Sequence, residues 1–354
     1  MKKNLYAILL VMTLLFSVSG TATTENLMIH FLDVGQADAA ILQCGDEVMM
    51  IDGGNSADSS LIYSYLTNTL GIRHIDYMIA THPHEDHVGG LSGALNACSV
   101  GCVYSPVTSY DSKPFSSLMK YMQQQGLEMT VPDVGSTYAF GDAQVQFLSP
   151  ARQYSDINGC SIVVRIVHGS NAFLFTGDAE WDAEHDMVAS GHELSSAVLK
   201  VGHHGSDTSS SYTFLREVMP TYAVISCGED NAYGHPAESA LSRLRDVGAS
   251  VYRTDVQGGI VCISDGSTLT FATERKASAD SLWHGVDTSV SVIAEENQSD
   301  FADGVLYIGN KNTKKFHVAS CSSVDDMKET NKAELNSRQE AIEQGYVPCK
   351  RCNP

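Results

Sequence analysis

Three histidines and an aspartate fall within the short segment Thr81-His82-Pro83-His84-Glu85-Asp86-His87-Val88-Gly89-Gly90. Imidazole nitrogen and carboxylate oxygen together suit zinc or a similar first-row metal, manganese included. The apolar run 75–80 precedes the segment and reads as a buried strand. Alternate residues past a strand end point the same way, so His82 and His84 can converge on one metal. Asp86 and His87 sit on the following turn and first helical residue and can reach a second metal close by. Gly89 and Gly90 let the backbone pass close beneath such a site. A His-rich surface loop is the alternative, and the strand-then-loop context argues against it.

Distant pieces can complete the constellation. Asp52 follows the strand-like run 48–51, where a carboxylate can hold a histidine or the metal-loop backbone in place. A simple turn aspartate before Gly53-Gly54 is the other reading. Asp178 ends the apolar run 172–176, beside Gly177. Gly202-His203-His204-Gly205-Ser206 follows the run 197–201. Adjacent residues of an extended chain point in different directions, so one of His203 and His204 would ligate and the other face substrate or core. His235, between Gly234 and Pro236, is placed to stabilise charge or protonate a leaving group, or to cap the helix that follows. Ser206 and Ser209 offer hydroxyls to phosphate oxygens, or are turn residues. His168, in His168-Gly169-Ser170-Asn171, reads as a turn-tip residue outside the site. Water on such a metal ionises near neutral pH, and a metal pair stabilises both the entering and the leaving oxygen of a phosphoryl transfer.

In this order the pieces resemble the metallo-β-lactamase superfamily over about residues 27–272. The resemblance implies an α+β fold, a four-layer αββα sandwich with a one- or two-metal site at one edge, usually hydrolytic. It implies His82 and His84 on the first metal, Asp86 and His87 on the second, and Asp178 bridging both. It places Asp52 outside the ligand set and, as in related phosphoesterases, favours His204 over His203 as the last ligand. Most members carry a third first-site histidine before the bridging aspartate; here that region reads Asn158-Gly159-Cys160-Ser161. The Asn-x-x-Ser form, Lys200-Val201-Gly202-His203-His204-Gly205-Ser206 and Tyr233-Gly234-His235-Pro236 resemble the hydrolase domain of ComEC-type competence proteins. Asn158 would then hydrogen-bond a metal-bound water or a phosphate oxygen. A β-lactam substrate suits neither the missing histidine nor the His-His-Gly-Ser piece.

The elements that must position these residues alternate along the chain. Runs 27–34, 39–43, 48–51, 75–80, 145–148, 161–167, 172–176, 197–201, 223–227, 260–263 and 268–272 read as strands. Helical spacing appears over 60–70, 116–125, from 180 onward, and over 236–247. Two strand-rich halves, each ending in helices, are what a four-layer sandwich gives.

Residues 1–22 read as a secretory signal: Lys2 and Lys3, an apolar core over 5–16, then small residues. The apolar core is short for a membrane span, so cleavage and export are expected, with an uncleaved anchor as the alternative. The hydrolase domain is expected over 25–275, a polar linker over 276–300 and a small module over 301–354. Six of the nine cysteines lie in the first domain. Cys98 and Cys102 are close enough in sequence to pair, and Cys44, Cys227 and Cys262 read as core residues. In the module, His317, Cys321, Cys349 and Cys352 have the spacing of a four-ligand structural zinc site, with disulfides as the alternative. So small a module needs such a staple. It resembles the zinc-binding domain of the Ada DNA-repair protein. His317 stands where Ada has its first cysteine, which removes the methyl-accepting thiolate and leaves DNA contact as the implied role.

The formal net charge of −20 counts against a nucleic-acid partner without excluding one, because metal ions supply local positive charge. Residues 301–354 carry eight Lys and Arg against seven Asp and Glu, so the module is the more favourable place for a polyanion. The expected activity is that of a secreted metal-dependent hydrolase of phosphodiesters in DNA or RNA. Its rivals are a small-molecule or cell-wall phosphoesterase, such as one acting on phosphorylcholine, and a non-catalytic zinc-dependent DNA-uptake protein.

Overall fold

The computed structural model describes residues 25–285, 307–318, 321–325, 327–335, 341 and 344–349. The expected signal segment and most of the expected linker lie outside the described residues. No helix among the described residues is long and apolar enough to cross a membrane.

One mixed sheet holds β1 (Leu27–Phe31), β2 (Ala39–Cys44), β3 (Glu47–Gly53), β4 (His74–Ile79), β5 (Ser99–Tyr104) and β6 (Met129–Thr130). The second holds β7 (Thr137–Phe140), β8 (Ala143–Ser149), β9 (Val163–His168), β10 (Asn171–Phe175), β11 (Val198–Lys200), β12 (Tyr222–Ile225) and β13 (Ser250–Arg253). The hairpin β14 (Ile260–Ser264) and β15 (Leu269–Thr273) returns to the first sheet, giving the order β15-β14-β1-β2-β3-β4-β5-β6 against β13-β12-β11-β10-β9-β8-β7. On the outer face of the first sheet lie α1 (Ser59–Ser64), α2 (Glu85–Val88), α3 (Leu91–Ala97) and α4 (Lys113–Gln124). On the outer face of the second lie α5 (Trp181–Ser190), α6 (Tyr212–Val218) and α7 (Glu238–Asp246).

Strand alternation produces the layers. In β3, Val48 and Met50 face the helices while Met49 and Ile51 face the other sheet. In β10, Leu174 faces the helices while Phe173 and Phe175 face inward. Strands buried on both faces must be apolar throughout, which is why these read as short continuous hydrophobic runs. Three apolar interfaces result, and with them the four-layer αββα sandwich.

The strand β3 runs parallel to β4, and β10 to β11, β12 and β13. Their carboxyl ends carry Asp52, the metal loop, Asp178, the His203-His204 loop and Ser226. In open α/β sheets, the crevice beyond such ends is where ligands collect.

Three expectations are corrected. Cys98 and Cys102 do not pair: all six cysteines of the first domain are free thiols. Cys98 ends α3 in extended geometry, and β5 carries the chain about 13 Å onward before Cys102, beyond disulfide reach. His168 is not an exposed turn tip. It is fully buried between Ser264 Oγ (2.9 Å) and the Glu25 carbonyl (2.8 Å), and ties the two sheets together. The first part of the expected linker belongs to the domain. After the single turn α8 (Thr254–Gln257), the helix α9 (Ala279–Trp283) is held by Arg253, which donates to the carbonyls of Leu282 and His284. Arg245 also lies over the Trp283 ring, 5.0 Å from its centroid.

Backbone contact beneath the metal loop explains its glycines. A Cβ on Gly90 would lie 2.0 Å from the Gly53 carbonyl oxygen. Gly90→Ala is therefore expected to cost about 1–3 kcal/mol, as overpacking does, read as a lower urea midpoint at unchanged m-value.

Candidate metal centre

Asp52 takes a left-handed backbone (φ 58°) at the end of β3 and buries its carboxylate. Its Oδ1 accepts from Thr81 N–H (2.8 Å), and its Oδ2 from Thr81 Oγ1 (2.7 Å) and His87 Nδ1 (2.9 Å). Both tasks expected of it are met: it holds the metal-loop backbone and a histidine. With Nδ1–H committed to Asp52, Nε2 of His87 faces Asp178 Oδ1 at 3.3 Å. Both atoms are buried, and neither has a hydrogen-bond partner among the described residues.

The same construction sets His204. Its Nδ1 lies 3.0 Å from the Ser226 carbonyl and 3.1 Å from Asp38 Oδ1. Asp38 Oδ2 in turn meets Lys200 Nζ at 2.8 Å, and Lys200 also donates to the Val201 carbonyl. This leaves His204 Nε2 facing Asp86 Oδ2 (3.3 Å) and Asp178 Oδ1 (3.7 Å). Asp86, His87, Asp178 and His204 thus offer ligand atoms all within 4.8 Å of one another.

The other oxygen of Asp178 faces a second group. Its Oδ2 lies 3.7 Å from His82 Nε2 and 3.7 Å from His203 Nε2. His82 Nε2 is 3.1 Å from His84 Nδ1, and His203 Nδ1 is 3.4 Å from both Glu180 Oε1 and Thr208 Oγ1. His203 and His204 both take left-handed backbone (φ 49° and 53°), which turns the two neighbouring rings to opposite sides of Asp178. The loop that follows is clamped. Glu184 accepts from the amides of Ser210 and Ser211, and Arg243 donates to the carbonyls of Asp207, Ser209 and Ser210. Burial pushes the Glu184 carboxyl up to about 7 against the pull of these amides.

Other expected residues stand differently. Asn158 lies in a 3-10 turn, with its N–H on Asp156 Oδ1 and its buried Oδ1 unpartnered among the described residues. The working member of the Asn-x-x-Ser form is Ser161. Its Oγ accepts from Asp178 N–H (3.1 Å) and lies 3.4 Å from His82 Nδ1. Ser206 is a buried turn residue, its Oγ taken by Thr208 N–H and Thr208 Oγ1, which leaves little of it to meet a phosphate. The ring of His235 stands 5.6 Å from that of His203, and its Nδ1 is 3.2 Å from Gln36 Nε2. Gly228 N–H donates to Gln36 Oε1, which fixes the amide so that Nε2 donates to His235 and the imidazole proton sits on its own Nε2. Burial, then His203 and His204, lower its pKa to about 4. This shift favours a neutral His235 that stabilises charge as a hydrogen-bond donor.

Charge decides what the cluster needs. Asp38, Asp52, Asp86 and Asp178 crowd together, with Lys200 as their one lysine or arginine contact among the described residues. Burial opposes the Asp38 charge, yet Lys200 and then His204 hold its carboxyl down to about 2. Burial also opposes charge on His204, and Asp178 followed by Asp38 overrides it, raising the imidazole to about 10. His87 is raised well above its ordinary value in the same way, by Asp178 and then Asp52. Without a metal, the surrounding carboxylates favour protons on His87 and His204 as the compensating positive charge. A divalent cation is the direct replacement, and the inward-facing Nε2 and carboxylate oxygens suit one.

The sequence of the first domain agrees with this geometry. Residues 32–229 match the family model of the metallo-beta-lactamase superfamily. The chain belongs to this superfamily. Residues 292–354 match the metal binding domain of Ada. Competence protein ComA of Neisseria gonorrhoeae is 33% identical over 230 residues, covering 64% of this chain and 31% of the relative. ComE operon protein 3 of Bacillus subtilis (strain 168) is 26% identical over 280 residues, covering 74% and 35%. The matches thus span about a third of each relative's length. Igni18, a metallo hydrolase from Ignicoccus hospitalis KIN4/I, superposes with a TM-score of 0.46 at 14% identity, over 66% of this chain and 98% of that one. The chain thus has the metallo-beta-lactamase fold, relatives among competence proteins, and a His/Asp ligand set suited to metal-dependent hydrolysis.

The terminal module has its own metal group. Its sheet runs β18 (Lys332–Leu335), β16 (Tyr307–Asn310), β17 (Lys315–Val318), β19 (Val347–Pro348). His317, Cys321 and Cys349 bring their ligand atoms within 4.8 Å of one another; Cys352 lies outside the described residues. Burial and then Lys315 lower the His317 pKa, which favours the neutral imidazole a metal requires.

Two outcomes follow. His204 and His87 hold protons at pH 7 that a metal must displace. Binding should therefore release protons and tighten as pH rises toward about 10, as read by calorimetry in buffers of different ionisation heat. Asp38→Asn should weaken metal binding at this centre about 10–100-fold, measured by chelator competition, with the terminal group unaffected.

Proposed function

We propose that the chain is an exported metal-dependent phosphodiesterase that cleaves nucleic acid. The observation that carries this reading is the division of Asp178 between two groups. Its Oδ1 faces His87 and His204, while its Oδ2 faces His82 and His203. A carboxylate shared in this way suits a pair of metals, the arrangement that serves in-line displacement at phosphorus. Zinc fits the imidazole-rich ligands, and manganese fits the carboxylates as well. When bound, the metals polarise the phosphoryl oxygens and lower the pKa of a water.

The chain's own residues provide the rest. Asp52 and Asp38 fix the ring orientation of His87 and His204. Ser161 holds the Asp178 backbone. His235, neutral with its proton on Nε2, is placed to donate a hydrogen bond to a phosphoryl oxygen or leaving group. Nucleic acid as substrate is supported by the likeness to two competence proteins and by an Ada-like module that is near neutral in an acidic chain. Residues 1–22 support export. The net charge of −20 favours the alternative of a small phosphoester, which the same assay addresses.

The mature chain with zinc or manganese is expected to hydrolyse DNA, and Asp178→Ala to lose more than about a hundredfold in rate. Absence of DNA cleavage in either metal, with turnover of a small diester, moves the substrate to small phosphoesters.

A further inference from the structure

Among the described residues, four aromatic side chains are strongly exposed: Tyr63, Tyr110, Trp181 and Tyr233. Singly scattered exposed aromatics are ordinary. Three of these four are not scattered: two place their rings on histidines at the metal centre, and the third sits on the backbone segment that carries the partners of His203. Tyr233 is 71% exposed and stacks its ring on His235, 5.9 Å between centroids at 27°. Trp181 directly follows Glu180, and its backbone N–H donates to the Thr208 carbonyl, while its ring lies under the Arg243 guanidinium at 5.9 Å; Glu180 and Thr208 are the two groups that hold His203 Nδ1. Tyr110 lies against His84, 6.3 Å between centroids at 66°. Trp181 shares an open groove with Glu180, Thr208 and Gly159, and Tyr110 lines a larger one with Met119 and Lys120.

We propose that Tyr110, Trp181 and Tyr233 are stacking platforms for unpaired nucleobases on either side of the phosphodiester at the metal centre, so that the substrate is single-stranded. The inference rests on the phosphodiesterase reading and adds its strand selectivity.

Charge makes the case. Affinity through phosphates comes from Lys and Arg that displace counterions, and a chain of net charge −20 is poorly furnished for it. The groove beside Trp181 is itself acidic, lined by Asp156, Glu180 and Asp182. Stacking on an aromatic face does not depend on the protein's net charge, and every base has a π-face to offer. A duplex hides those faces, whereas a single strand presents them. Platforms beside His84 and His235, and in the groove shared with Glu180 and Thr208, leave the backbone between bases free to approach Asp178.

The test uses the full mature holoprotein and a fluorescein-labelled phosphorothioate oligothymidylate, beside a hairpin duplex, read by anisotropy. Trp181→Ala and Tyr233→Ala should each weaken single-strand binding at least about fivefold. Tyr233→Phe should stay within about twofold of wild type, and duplex affinity should move less than about twofold. The salt slope for the single strand should be shallow, equivalent to fewer than about two phosphate contacts. No loss in the alanine variants, an equal loss on the duplex, or tight aromatic-dependent binding of a glycan strand with none of oligothymidylate would overturn the proposal. Hydrolysis of bis(p-nitrophenyl) phosphate by the same wild-type preparation reports the metal chemistry separately. The phosphodiesterase reading fails if that diester and DNA are both untouched; the platform proposal fails on the binding data alone.

Discussion

An excess of negative charge, most of it buried, governs this molecule. Asp38, Asp52, Asp86 and Asp178 are drawn together by the fold, and Lys200 neutralises only one of them. Unpaired charge of this kind is costly in an interior. The remaining charge must be met by protons on His87 and His204 or by a metal cation. Metal binding and the stability of the surrounding loops are therefore one equilibrium.

The rest of the sandwich serves that constraint. Parallel strands from both sheets end at one edge, so loops distant in sequence deliver the ligands, and the residues that hold them, to a single place. The loops cannot drift. Thr81 and His87 are held by Asp52, the amide of Asp38 donates to the Asp86 carbonyl, and Glu184 with Arg243 fixes the loop after His204. Rigid support of this sort keeps imidazoles in one rotamer and one tautomer, which a metal needs of its ligands.

How much of this the sequence discloses depends on distance along the chain. His82, His84, Asp86 and His87 are legible because they are contiguous and follow an apolar strand, and the paired-sheet architecture is legible from the spacing of short apolar runs. Asp38 and Ser161 are not, because their roles arise only when the turns before β2 and β9 bring them to His204 and Asp178. Asp38 reads as a turn residue; its pairing with Lys200 is a tertiary fact, although Lys200 beside the His-His motif was a signal. The neutral state of His235 likewise comes from burial and two neighbouring imidazoles. Residues 276–285 look like linker in composition, yet Arg253 supplies the donors that their carbonyls need.

The position of β1 has a consequence for how the chain is made. It lies between β2 and β14, with Leu27 opposite both Cys44 and Ser264. This strand gains one neighbour soon after it leaves the ribosome and waits for the other until nearly the whole domain has been synthesised. Meanwhile the inward face of the first sheet, with Ile29, Leu42 and Met49, has no second sheet to cover it. Nascent chains with long-range pairing and an uncovered apolar sheet fold slowly and are prone to self-association. A chaperone that holds the growing polypeptide open would thus work with this topology, since the sandwich closes only with its last hairpin.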